Sequence, residues 1–286
     1  MRAFYAFLIV IAVLSAMPRN ARAQLYVTQG STGGIVSKYN ATTGARIKVR
    51  FITRLDGPSA LAVLGTDLFV ATVEGNKVGK YNATTGATIN AKFITGLHGP
   101  FLGLVLNTSG RRLFVANSSN GTNSVGKYDA MTGATINASL ITALHEPEGL
   151  ALMGPTPSFS DPILFVANFG NNTVGKYDAK TGVELNASFI TGLHSPAGLA
   201  LFGNTLFVAN FNIGTVGAYD VTTGAVIVVN FITGLHSPAG LALLGNNLFV
   251  VNESSGTVGK YNATTGATIN ANFITGLNTP AGLAVK

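Results

Sequence analysis

The chain has no cysteine among its 286 residues. That excludes disulfides, thiolate metal sites, a cysteine nucleophile and lipid attachment through sulfur. Charge is scarce too: Asp, Glu, Lys and Arg make up 10%, so Asn, Thr, Ser and Gly must cover much of the surface. There are four histidines, and they show neither His-x-His nor His-Glu-x-x-His spacing, the patterns that place two ligands on one metal. No glycine-rich phosphate loop opens a helix, no segment has helical periodicity, and no serine–histidine–aspartate arrangement can be picked out. Apart from the first residues, no run is long and apolar enough to span a bilayer.

The N-terminus reads as a secretion signal. Arg2 precedes the apolar stretch AFYAFLIVIAVLSAM (3–17), and Ala21-Arg22-Ala23 fits the small-x-small cleavage rule, so residues 1–23 are expected to be removed before Gln24. A buried strand or a membrane anchor fits less well, because the run is short for a span and a repeat begins directly after it. The expected location is periplasmic or extracellular. Losing Arg2, Arg19 and Arg22 lowers the net charge from +7 to +4. Arg46, Lys48 and Arg50 alternate, which puts them on one solvated face of a strand. A nucleic-acid groove would instead need basic residues spread along a face with aromatics between them, so no nucleic-acid partner is expected. Without disulfides, an exported chain must be held by core burial alone, for which residues 24–286 suffice.

What the sequence has in abundance is repetition. Six copies of a Leu-Phe-Val-Ala-Asn-like unit start at Leu25, Leu68, Leu113, Leu164, Leu206 and Leu248, at steps of 43, 45, 51, 42 and 42 residues. Each unit reads as four strands: a small-residue strand (GLAL), one apolar on both faces (LFVAN), an alternating one (TVGKYN) and a more polar alternating one (ATINANFIT). The turn YNATTGA opens on Asn or Asp and ends on Gly44, Gly86, Gly133, Gly182, Gly224 or Gly266, where a positive φ is needed. Six four-stranded units predict an all-β, six-bladed propeller of antiparallel strands. The mature N-terminus starts in the second strand of a unit, so the C-terminal AGLAVK should supply the missing first strand and close the ring. A solenoid would need distinct caps instead. A monomer is expected.

The unit P-A-G-L-A-L-x-G-N-x-L-F-V-A-N-x-x-x-G-T-V-G-K-Y resembles the NHL-type and YVTN-type propeller repeats of secreted, bacterial-type proteins; LYVTQ (25–29) is close to the second form. The resemblance covers the whole chain after the signal. It implies the propeller fold and leaves function open, since such propellers serve as scaffolds, binders and enzymes.

On this plan two rings of side chains share one face. The first is Asp56, His98, His145, His194, His236 and Asn278, each two residues before a proline. The second closes the LFVAN strand: Gln29, Thr72, Asn117, Asn168, Asn210 and Asn252. The histidines could converge as ligands, but a ring of equivalent blade positions is too wide for one ion at zinc–nitrogen distances of about 2 Å. The plainer expectation is that each histidine donates to a loop carbonyl and pins the entry to an inner strand. One blade departs from its siblings: LHEPEGLAL (144–152) places Glu146 and Glu148 beside His145. A divalent cation there, on His145 and Glu148, is the candidate metal site, against drift in a solvent-facing loop; no other cofactor is expected. Gluconolactonase-like and virginiamycin B lyase-like propellers are similar in overall plan. Glu148 with ring asparagines would mimic the first, and Glu148 with His194 or His236 the second. Neither local motif is matched, so no catalytic residue is carried over. Tyr39, Tyr81, Tyr128, Tyr177, Tyr219 and Tyr261 recur once per blade and read as packing between blades rather than a sugar-stacking platform. There are ten Asn-x-Ser/Thr sequons, and Asn40, Asn82 and Asn262 arise from the turn consensus. An insertion at 154–163 should join first and second strands on the opposite face.

The leading expectation is therefore an exported, non-enzymatic propeller that binds a protein, peptide or glycan on the His/Asn face. A metal-dependent hydrolase or lyase centred on Glu148 is the runner-up, and a structural surface protein the third reading.

Overall fold

The computed structural model describes residues 23–107, 109, 111–119, 121–155 and 162–286. Residues 1–22 of the expected signal and most of the 154–163 insertion lie outside them. Among the described residues, twenty-four strands form six four-stranded antiparallel sheets. Blade I is β24 (Pro280–Val285), β1 (Gln24–Gln29), β2 (Thr32–Asn40) and β3 (Arg46–Asp56). Blade II is β4 (Pro58–Leu64), β5 (Asp67–Thr72), β6 (Lys77–Asn82) and β7 (Thr88–Ile94). Blade III is β8 (Leu104–Leu106), β9 (Arg112–Ser119), β10 (Thr122–Asp129) and β11 (Thr135–Ile141). Blade IV is β12 (Pro147–Met153), β13 (Ile163–Asn168), β14 (Thr173–Asp178) and β15 (Glu184–Ile190). Blade V is β16 (Pro196–Phe202), β17 (Thr205–Asn210), β18 (Thr215–Asp220) and β19 (Val226–Ile232). Blade VI is β20 (Pro238–Leu244), β21 (Asn247–Asn252), β22 (Thr257–Asn262) and β23 (Thr268–Ile274). The fold is a six-bladed propeller, and it closes as expected: β24 pairs with β1, and Gln24 and Lys286 exchange backbone hydrogen bonds at 2.9 Å.

The core lies between blades rather than within one. In β5, Leu68 and Val70 face Tyr26, Phe51 and Ile52 of blade I, while Phe69 and Ala71 face Leu113, Val115 and Tyr128 of blade III. That sandwiching is why the LFVAN strand is apolar on both faces. The third strand is not half-exposed as its alternation suggested: β14 is buried at its first five positions. Glycine explains it. At Gly175 the ring of Tyr177 folds back across the strand, and a Cβ would sit 2.6 Å from it. All six repeated tyrosines are buried between sheets. The outermost strand does not alternate either. The first five residues of β7 are exposed and the last two buried: its outer end stays paired with β6, Thr88 opposite Tyr81 and Asn90 opposite Lys80, while Phe93 and Ile94 turn into the core.

The turns behave as the residue types require. Asn82 Oδ1 accepts from the N–H groups of Thr84 and Thr85, both at 2.9 Å. Gly182 has a φ of 81°, and a Cβ there would lie 2.0 Å from the Leu140 carbonyl of blade III. The turn glycine thus serves both the turn and the seam between blades. Lysines of the third strands tie the same seam. Lys38 Nζ donates to the Ala83 carbonyl at 3.1 Å and lies 4.8 Å from the Phe51 ring centroid. Lys127 and Lys176 reach the next blade's turn in the same way.

Candidate functional site

Around the axis, the inner strands approach closely enough to require glycine. A Cβ on Gly149 would meet the Ala197 carbonyl at 2.1 Å, and one on Gly282 the Ser59 carbonyl at 2.0 Å. The next residue of each inner strand turns a leucine to the channel, including Leu61, Leu150, Leu199, Leu241 and Leu283. The space among them is about 70 Å³, little more than two waters' share of bulk liquid, roughly 30 Å³ each. The hub is too narrow for more than a few waters, so ligand chemistry belongs to the faces.

On the face where second strands end and inner strands begin, the two expected rings separate by role. The asparagines are buried and committed. Asn117, Asn168, Asn210 and Asn252 each accept, through Oδ1, the backbone N–H of His98, His145, His194 and His236, at 3.1–3.3 Å. Gln29 does the same for Asn278 at 3.2 Å. Thr72 is too short to reach its loop, and Asp56 instead pairs with Lys77 at 3.4 Å. The pinning expected of the imidazoles is therefore done by the asparagines, through the histidine backbone. The four imidazoles are exposed, and among the described residues none makes a hydrogen bond. The residue between each ring member and its proline has a positive φ in all six blades: Gly57, Gly99, Glu146, Ser195, Ser237 and Thr279.

Inside this ring, two hollows open at the mouth. One, about 210 Å³, is lined by Glu74, Glu253, Phe101, Val73, Pro58 and Ala281 among others. The second, about 270 Å³, is lined by Glu146, Glu148, Phe169, Ser118 and again Val73 and Phe101. Since Val73 and Phe101 belong to both, the hollows adjoin. The carboxylates come from alternate blades: Glu74 from II, Glu146 and Glu148 from IV, and Glu253 from VI. Glu148 follows Pro147 at the start of β12. Burial pushes its carboxyl up to about 8, helped by the nearby charges of Glu253 and Glu146. Burial also raises Glu253. Thr32 Oγ1 donates to Glu74 at 2.6 Å. Among the described residues, no group of three or more His, Asp or Glu side chains is placed to hold a metal ion. His145 is exposed and lines neither hollow, whereas Glu148 lines the second.

A family model described as outer membrane protein assembly factor BamB matches residues 32–272. The chain belongs to this family. A comparison with curated protein sequences finds no match. Among solved structures, this BamB-family propeller is similar to one in the crystal structure of a nidogen/laminin complex, with a TM-score of 0.73 and 16% identity over 92% of this chain and 98% of that one. It is also similar to the computationally designed Ika8 protein, with a TM-score of 0.51 and 16% identity over 91% and 74%. At such identity these likenesses establish the fold alone. Among the described residues, no helix is long and apolar enough to cross a membrane.

The BamB-family blades also hold residues that the repeat alignment passed over. Glu253 and Phe169 directly follow the second-strand asparagine, in a column that otherwise reads Gly30, Val73, Ser118 and Phe211. Glu74 stands one residue further on. Phe101 belongs to GPFLGL, whose inner strand carries one residue more than PAGL. That extra residue displaces β8, which is only three residues long. Reading the column after each asparagine for its outlier would have found Glu253, whereas Phe169 is matched by Phe211 and does not stand out. The convergence of Phe101 with them depends on ring closure.

Proposed function

We propose that this chain is an exported, non-enzymatic propeller that holds a polypeptide or glycan partner at the mouth of its channel. The observation that carries the reading is the division of labour on that face. The asparagines that repeat around the ring maintain the fold, and side chains that break the repeat line two adjoining hollows over a narrow hub. Contact surfaces need unlike groups at chosen points, which is what Phe101, Phe169 and the glutamates provide. The BamB family's description as an outer membrane assembly factor supports export, together with the signal-like residues 1–23. Within that family we assign the blades to the NHL/YVTN style of repeat, on the wording of LYVTQ and PAGLAL.

Site-specific photo-crosslinking in the native envelope tests the reading. A photoreactive residue at Phe101 should give adducts, and one at Ile89 on the exposed rim should not. Equal adducts at both, or none at Phe101, would refute a mouth-face partner. The unusual Glu148 carboxyl favours a second reading, as acid or base in a hydrolase or lyase. Lactone turnover that disappears in a Glu148→Gln variant would replace the binding reading with that one.

A further inference from the structure

We infer that the twin hollow at the channel mouth is a site for an organic cation, a protonated primary amine carried on an apolar stem. This rests on the mouth-face reading above and names the chemistry it would recognise. Three observations converge. First, the carboxylate of Glu148 is unpartnered: among the described residues it makes no hydrogen bond and no ion pair, and its charged neighbours, Glu253 and Glu146, only repel it. It is nonetheless part-buried at the start of β12. No fully buried side-chain oxygen or nitrogen of the described residues lacks a partner, so the Glu148 oxygens must open into the hollow they line. An enclosed carboxylate without a donor is costly, and a cation brought into the hollow removes that cost.

Second, the walls are apolar. Phe101, Val73 and Phe169 flank Glu146 and Glu148, and Phe101 and Val73 continue into the hollow that holds Glu74 and Glu253. A strongly hydrated metal ion gains nothing from such walls, and the carboxylates are not grouped tightly enough for one. An alkyl stem does gain, by burying its methylenes against them. Aromatic faces beside an ammonium add to the attraction.

Third, the charge around the hollow has one sign. Glu148 is surrounded by Glu146 on its own loop and Glu253 across the mouth, with Glu74 beyond Phe101 in the adjoining hollow. The imidazoles of His145 and His98, on the loops entering blades IV and III, are exposed outside both linings. Nearby Lys77 is held by Asp56. No lysine or arginine lines either hollow.

Binding is then linked to a proton. Below the raised Glu148 value the free site holds a neutral carboxyl, and the cation must displace its proton. Affinity should rise with pH up to about 8, by at most tenfold per unit, and level off above it. The test is calorimetric titration of the purified chain with 1,5-diaminopentane, with neutral 1,5-pentanediol, and with a short peptide carrying one internal lysine. The expected result is binding of a cation and not of the diol, tightening from pH 6 to 8. In Glu148→Gln, binding should weaken at least tenfold and lose its pH dependence, while the melting temperature is kept or raised. A stronger response to the peptide assigns the amine to a partner's lysine side chain, and a stronger response to the diamine assigns it to a free amine. Neither cation binding at millimolar concentration, equal binding of diol and diamine, or an unchanged Glu148→Gln variant would overturn the inference. Crosslinking from Phe101 would still succeed in that event, so the mouth-face reading fails or stands separately.

Discussion

At the scale of single residues, the informative positions are those where one blade breaks a rule that the others keep. Glu148 is the sharpest case. Its folded-state carboxyl holds its proton up to about 8, against about 4.5 when the chain is unfolded. A folded value above the unfolded one favours the folded state fully only below about pH 4.5. That advantage is lost as pH rises toward 8. Melting curves should therefore show Glu148→Gln gaining on the natural chain from pH 5 to 8, with the gap constant above. A gap independent of pH would show that the carboxyl is not held protonated. Two glycines make a matched pair. Gly192 (φ 70°) has open space around a notional Cβ, and Gly182 (φ 81°) faces the Leu140 carbonyl. Alanine at Gly192 should cost only the left-handed backbone strain, about 1–2 kcal/mol. Alanine at Gly182 should cost more, because backbone on both sides of the seam must move. Denaturant midpoints of the two variants measure the difference. The turn glycines were legible from the repeat. The second demand on them was not, because the carbonyl each one meets belongs to the neighbouring blade, distant in sequence.

At the scale of elements, blade V is the exception. In the other blades, the third-strand lysine pairs across the ladder with a polar residue, as Lys80 does with Asn90 and Lys176 with Asn186. In blade V the same pair is Ala218 and Val228. Without the lysine, Phe207 and Phe231 stack with centroids 5.0 Å apart. The outcome is an edge strand, β19, whose Val226, Ile227, Val228 and Val229 are all about half exposed. An apolar, unpaired edge invites pairing with another chain. A Val229→Lys variant should keep its melting temperature within about 0.5 kcal/mol equivalent, as exposed substitutions do, and should aggregate more slowly on heating. Light scattering during a thermal ramp reads this, and an unchanged onset would remove β19 as the aggregation site. Strand existence, turn positions and the Leu-Phe-Val-Ala core were readable from the repeat. The burial of the third strand and the bare rim of the fourth were not, because both depend on how neighbouring blades pack.

At the scale of the whole molecule, closure carries the fold. β24 completes blade I with residues from the far end of the chain, and Gly282 N–H donates to Thr28 Oγ1 at 2.8 Å across that join. Deleting 280–286 should expose Leu25, Tyr26 and Val27 of β1, all buried in the intact ring. The expected outcome is loss of the single cooperative unfolding transition, seen by circular dichroism during chemical denaturation. A truncated chain that still melts as one sharp step would mean that blade I does not depend on its borrowed strand. The six-fold period by itself determined the all-β class, the number of blades, the turn chemistry and the borrowed closing strand, because each is local or follows from counting identical units. Only the tertiary structure decided which repeated residues are committed. It buried the asparagines under the loops and left the imidazoles in water. It also brought Glu74, Glu148 and Glu253 from alternate blades to one mouth, beside a phenylalanine admitted by a single extra residue. Periodicity specifies what each blade shares, whereas a site at the axis is built from what the blades do not share, and those differences meet only when the ring closes.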